Sequence, residues 1–221
     1  MNKKNYNIIL FDLDGTITDS GEGVTNSVMY ALGKYGIETE NRAELYSFIG
    51  PPLMDSFMKI YNFEYEKAVE AVAYYREYYQ DKGIWENSVY EGISPLLKEL
   101  KALGKRVLVA TSKPEIFAKR ILEKHDIAKY FEFIAGATMD ETRSQKDEVI
   151  RYALESCNIT DMSEVIMVGD TKFDVIGANK FGMDSAGVLF GYGTKEEMEK
   201  EGATYICETA DELRRILVNK E

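Results

Sequence analysis

Two carboxylates one residue apart, Asp12 and Asp14, close the apolar run Ile8-Ile9-Leu10-Phe11 and stand directly before Gly15. Four apolar residues in succession read as a strand buried on both faces, as in a parallel sheet. Ionised acids at the end of such a strand repel each other and lose water, so something must compensate. A divalent cation with oxygen ligands is the expected agent. Two more acids, Asp170 and Asp174, follow the run Val165-Ile166-Met167-Val168-Gly169, and two hydroxyls, Thr111 and Ser112, follow Val107-Leu108-Val109-Ala110. Open α/β sheets carry their sites beyond the carboxyl ends of the strands. Three strands thus bring acids or hydroxyls to one rim, and a carboxylate there can attack phosphorus as a nucleophile. A hydroxyl at a strand end, followed by free amides near a helix start, makes a phosphate cradle. Thr111 and Ser112 also suit a helix cap with Pro114 in the first turn, and Asp170 to Asp174 also suit an acidic turn capping the next helix.

The elements that must position these residues alternate. Strands are expected at 7–11, 106–110, 131–135, 164–168 and 185–189, with helices at 94–103, 114–125, 145–157 and 174–181 between the later ones. The clearest helix has Ser94 as a cap, Pro95 in its first turn, Leu96, Leu97, Leu100 and Leu103 on one face, and Gly104 after its end. Such alternation implies an α/β fold with a parallel sheet. Residues 20–85 differ: Val24, Val28, Leu32 and Tyr35 recur at helical spacing, Tyr65, Val69, Val72 and Tyr79 do so with some drift, and no strand pattern is visible.

The 221 residues suffice for one sizeable core plus a small insertion, and 45% hydrophobic content is ordinary for a globular protein. A formal net charge of −11 without a basic stripe argues against a nucleic-acid polymer as partner. It also means that a phosphate substrate must be attracted locally. No apolar run is long enough for a membrane span. The amino-terminal stretch Met1 to Asn7 carries two lysines but no leader-like apolar segment, which leads us to expect a cytoplasmic protein. Cys157 and Cys207 have no ligand-spaced partners, so neither zinc nor a disulfide is expected. The only histidine, His125, reads as a surface residue of a charged helix and leaves no basis for a His-dependent triad.

The stretch Asp12-Leu13-Asp14-Gly15-Thr16 after a buried strand, with Thr111, Lys146 and Gly169-Asp170 followed by Asp174, resembles the four motifs of the haloacid dehalogenase (HAD) superfamily. The resemblance covers nearly the whole chain. It implies an α/β fold with a Rossmann-like parallel core and an inserted all-helical cap, residues 1–16 and 88–221 forming the core and 17–87 the cap. It further implies Mg²⁺ as cofactor, held by Asp12, the backbone carbonyl of Asp14, Asp170 and, directly or through water, Asp174. By the same resemblance Asp12 is the nucleophile that forms an aspartyl-phosphate, and Asp14 the general acid and base. Thr111 and Lys146 then hold the phosphoryl group, with Ser112, Arg143 and Gly50 as further substrate contacts. Ser112 stands where many phosphoglycolate-phosphatase-like members carry Asn.

The expected activity is hydrolysis of a small phosphorylated metabolite by a monomer or small homo-oligomer. Asp14 argues against a haloacid dehalogenase or a phosphonate hydrolase, while Thr16 favours a phosphatase over a β-phosphoglucomutase-like isomerase, which stays an alternative. A catalytically idle phosphate-binding module is a further one. Ile49-Gly50-Pro51-Pro52 resembles the phosphoglycolate phosphatase group, whereas Gly136 to Arg143 is similar to a 5′-nucleotidase-like bacterial branch. The aromatics Tyr61, Phe63, Tyr65, Tyr74, Tyr75, Tyr78, Tyr79 and Trp85 could stack on a base or simply pack helices together.

Overall fold

The strand Ile8–Phe11 (β1) lies at the centre of a six-stranded sheet in a computed structural model that describes residues 4–218. Met1 to Lys3, part of the stretch read above for a leader, lie outside the described residues. After β1 comes a two-residue strand Thr18–Asp19 (β2), which pairs antiparallel with Ser88–Val89 (β3). Between them lie the helices Gly21–Gly33 (α1), Leu53–Tyr61 (α2) and Tyr65–Asp81 (α3), with 3₁₀ turns at Arg42–Phe48 and Gly83–Trp85. The little ribbon of β2 and β3 ties together the chain's exit to the helical cap and its return. Two-residue strands carry no period, so the sequence pattern does not show them.

The remaining chain alternates as expected. Ile93–Ala102 (α4), Arg106–Pro114 (β4), Glu115–Lys124 (α5), Phe133–Ala137 (β5), Lys146–Ser156 (α6), Val165–Gly169 (β6), Lys172–Phe181 (α7) and Asp184–Val188 (β7) follow in order. Three elements near the end were not foreseen: Lys195–Lys200 (α8), Tyr205–Cys207 (β8) and Ala210–Leu217 (α9). The sheet order is β5-β4-β1-β6-β7-β8, and every neighbouring pair is parallel. Side chains alternate across it. Ile9, Phe11, Val107, Val109, Ile166 and Val168 join one apolar cluster, while Leu10, Leu108, Val165 and Met167 join another on the opposite face.

Several boundaries differ for local reasons. Strand β4 runs on to Pro114 instead of ending at Ala110. Helix α5 accordingly starts after Pro114 with no side-chain cap, so Thr111 and Ser112 lie in the strand and do not cap a helix. Helix α4 starts after Gly92, in a left-handed conformation at φ +83°, which puts Ser94 inside the helix and not at its cap. His125 ends α5, half-buried, with Nε2 2.6 Å from Asn87 Oδ1, so it ties the helix end to the residue just before β3. The face of α3 is shifted from its expected phase: Tyr65 and Val69 are exposed, and Ala68, Ala71, Val72, Tyr75 and Tyr79 are buried. Two alanines read as neutral in a hydrophobic pattern, yet both belong to the buried face.

Candidate active site

Register sets the site. Phe11 lies beside Val109 on one side and Val168 on the other, so the three chains leave the sheet at one level, and Asp12 N–H donates to Val168 O at 2.8 Å. Asp12, Asp170 and Asp174 are buried, and each offers a carboxylate oxygen within 4.8 Å of the others. Asp170 is held by the Thr16 hydroxyl at 3.1 Å and the Tyr192 N–H at 2.8 Å. Asp174 Oδ2 accepts from the N–H and hydroxyl of Thr171 in a capping box. Capping and site-building therefore coincide in that one residue.

The Lys146 ammonium opens α6 from beneath, 2.8 Å from both Asp12 Oδ1 and Asp174 Oδ1, and donates to Ala110 O at 3.3 Å. One cation beside three buried acids leaves a deficit. Burial pushes the Asp12 carboxyl up to about 6 against the pull of Lys146, with Asp174 adding to the rise. Asp170 is raised well above the ordinary range by burial, then by Asp174 and Asp12. Burial alone would lower Lys146, but Asp12 and Asp174 outweigh it and hold the ammonium charged. Neither Asp12 Oδ1 nor Asp174 Oδ1 accepts a hydrogen bond of good geometry. These oxygen-only donors fit a small hard divalent cation.

Glycine lets the backbone close around Asp170. Gly15 has φ +80°, and a Cβ there would lie 2.1 Å from Asp170 Oδ2. The loop after β7 presses in from the other side, where a Cβ on Gly191 would meet the same oxygen at 2.4 Å. That loop escaped the sequence reading. Its available signal was Gly191-Tyr192-Gly193 following an apolar strand.

Above Asp12 opens a cleft between sheet rim and cap. Asp12, Asp14, Thr111, Ser112 and Gly50 all line it. Lys146, Asp170 and Asp174 lie buried behind Asp12 and outside the lining. Arg143 is elsewhere: it donates through Nε to Gly136 O at 3.0 Å, lies 3.5 Å from Glu115 and stacks over the Tyr152 ring. It braces the turn after β5 and is not among the lining residues. Of the eight aromatics named above only Tyr75 and Tyr79 line the cleft, where Phe48 joins them, whereas Tyr61 and Phe63 pack with Phe48 and Phe57.

Lys113 was passed over. Its ammonium lies 2.8 Å from Asp14 Oδ2 and 4.6 Å from the centre of the Tyr79 ring, while Asp14 Oδ1 is buried without a hydrogen-bond partner. A lone lysine in a sequence does not reveal its partner. Only the continuation of β4 past Thr111 brings it there.

The chain belongs to the haloacid dehalogenase-like hydrolases, whose family model matches residues 9–188. Within that family it is a phosphatase. A 5′-nucleotidase of Pseudomonas aeruginosa is 41% identical over 212 residues, 96% of each chain. The tyrosine-protein kinase PtkA of Mycobacterium tuberculosis is 38% identical over 213 residues, 95% of this chain and 72% of its own. A predicted phosphatase of Clostridium acetobutylicum superposes with a TM-score of 0.93 at 50% identity, over 96% of this chain and 97% of that one.

Proposed function

We propose that this phosphatase hydrolyses a small phosphomonoester with Mg²⁺ as cofactor, through a phosphoryl ester on Asp12, and that a nucleoside 5′-monophosphate is its first substrate candidate, with phosphoglycolate second. The observation that carries the mechanism is the placing of two acids in unlike seats on one cleft floor. Asp12 is fixed by Lys146, and Asp14 reaches the same cleft with a buried oxygen unpaired. The likeness to the Pseudomonas 5′-nucleotidase supports the nucleotide.

Asp12 attacks phosphorus while the bond to the leaving oxygen breaks, and Asp14 gives that oxygen its proton. Asp14 then takes a proton from water, whose oxygen attacks the phosphoryl group and restores the Asp12 carboxylate. Lys146 keeps the Asp12 carboxylate oriented and offsets charge behind it. The Thr111 and Ser112 side chains stand at the rim to receive phosphoryl oxygens. Mg²⁺, held by Asp12, Asp170, Asp174 and the backbone of Asp14, would supply charge neutralisation and polarisation of the phosphoryl group. The cap, which we set at residues 17–87 against a core of 1–16 and 88–221, excludes water and contacts the leaving group. The free thiols of Cys157 and Cys207 support a cytoplasmic setting.

The test is phosphate release from a panel of nucleotides, sugar phosphates and phosphoglycolate. Asp12→Asn is expected to fold and to lose turnover by about a thousandfold or more, because an amide does not form the ester. Near-normal rates in pure Asp12→Asn protein would overturn the mechanism, and rearrangement of sugar phosphates without phosphate release would replace hydrolysis by isomerisation.

A further inference from the structure

Every cation that the described residues present to the cleft already has a carboxylate of its own. Lys113 is paired with Asp14 at 2.8 Å. The other is Arg76, on cap helix α3, whose guanidinium lies 3.3 Å from Glu141 Oε1 on the core. Both side chains of this second pair line the cleft and are about three-quarters covered. Glu141 is no loosely placed surface acid. It holds φ +63°, a conformation uncommon outside glycine. The turn that carries it is braced by the Asp140, Thr138 and Thr142 side chains and by Arg143 N–H donating to Thr138 Oγ1 at 3.1 Å. The cap also lines this cleft with the apolar residues Phe48, Ile49, Pro52 and Leu53.

We propose that the Arg76–Glu141 pair makes the leaving-group end of the cleft electrically neutral, and so selects phosphomonoesters with an uncharged, hydroxyl-bearing leaving group against those that carry a second anion. The inference rests on the phosphomonoesterase reading above and names its substrate class. A second carboxylate or phosphoryl group entering this end meets the Glu141 carboxylate and finds no uncommitted cation. Like charges at close range in a partly desolvated cleft repel strongly. A neutral sugar finds an acceptor in Glu141 and donors in Arg76 at one place, and its planar or apolar body finds the apolar wall. The pair thus rejects one ligand class with the same groups that bind the other.

The experiment measures binding of adenosine 5′-monophosphate and of phosphoglycolate by calorimetry, in full-length protein carrying Asp12→Asn so that neither ester is consumed. We expect the nucleotide to bind at least about tenfold more tightly. Glu141→Gln, which keeps shape and removes charge, should narrow that ratio about fivefold or more by tightening phosphoglycolate. Arg76→Gln, which leaves Glu141 without its counter-charge, should widen it. Opposite movements in two variants separate selection from general damage to the fold. Tighter binding of phosphoglycolate than of nucleotide, or a ratio unmoved by both substitutions, would overturn the inference. Failure of the phosphatase reading shows separately, as no phosphate release from either ester by the unsubstituted protein.

Discussion

Asp12 and Asp14 are chemically identical, and their surroundings differ. Asp12, the nucleophile in the function proposed above, is buried against Lys146 and the Asp170–Asp174 pair. Asp14 leans on Lys113 at the edge of the cleft. The acids and hydroxyls of the site were legible in the sequence because each follows an apolar strand. Their counter-ions were not, since nothing local tells a committed lysine from a solvated one: Lys146 was found through family position, and Lys113 was missed. Lys146→Met should show what that commitment is worth. It leaves Asp12 and Asp174 side by side without their shared cation, and removing one partner from a buried charge cluster typically costs about 3–5 kcal/mol. Urea unfolding should shift by about that much, and added Mg²⁺ should recover part of it. An unchanged midpoint in metal-free buffer would show that the lysine holds nothing.

Elements are legible where their period is long enough to see. The strands β1, β4 and β6 announce themselves as apolar runs, while β2, β3 and β8 have two or three residues each and depend on neighbours for their existence. Helix α3 was found but misphased, because its buried face uses Ala68 and Ala71 where the eye follows Tyr65 and Val69. Small residues carry the same lesson at the start of α1. A Cβ on Gly23 would lie 2.0 Å from the carbonyl oxygen of Gly83, so the helix touches the turn beneath it backbone to backbone. Neither glycine stands out in the sequence. Gly23→Ala must push α1 off that turn, and overpacking of this kind usually costs about 1–3 kcal/mol. The melting temperature should fall, and because Val24, the next residue of α1, lines the cleft, turnover per folded molecule should fall as well. Equal melting of the two proteins would mean that this contact opens freely.

At the scale of the molecule, charge and burial oppose each other. The apolar cluster under one face of the sheet continues into α1, α2 and α3, so cap and core share it, and the acid cluster lies at the edge of that shared interior. The chain also carries a net charge of −11. The protein therefore folds around carboxylates that would be better solvated unfolded. The sign of the consequence follows from the raised Asp12 carboxyl, at about 6 in the folded protein against about 4 for an ordinary aspartate. Where the folded state binds a proton more tightly than the unfolded one, acidification stabilises. The cost of keeping Asp12 ionised is fully present above about pH 6 and fades as pH falls towards about 4, and Asp170, also raised by burial, acts in the same direction. Protein stripped with a chelator should accordingly melt higher at about pH 5 than at about pH 7, the reverse of ordinary acid lability. With millimolar Mg²⁺ the order should invert, because protons then compete with a cation that stabilises the ionised acids. Asp12→Asn should flatten the slope of the stripped protein, which separates this cluster from relief of the overall negative charge. Parallel pH profiles with and without Mg²⁺ would remove the case for a cation at these three acids, whatever the activity assays returned.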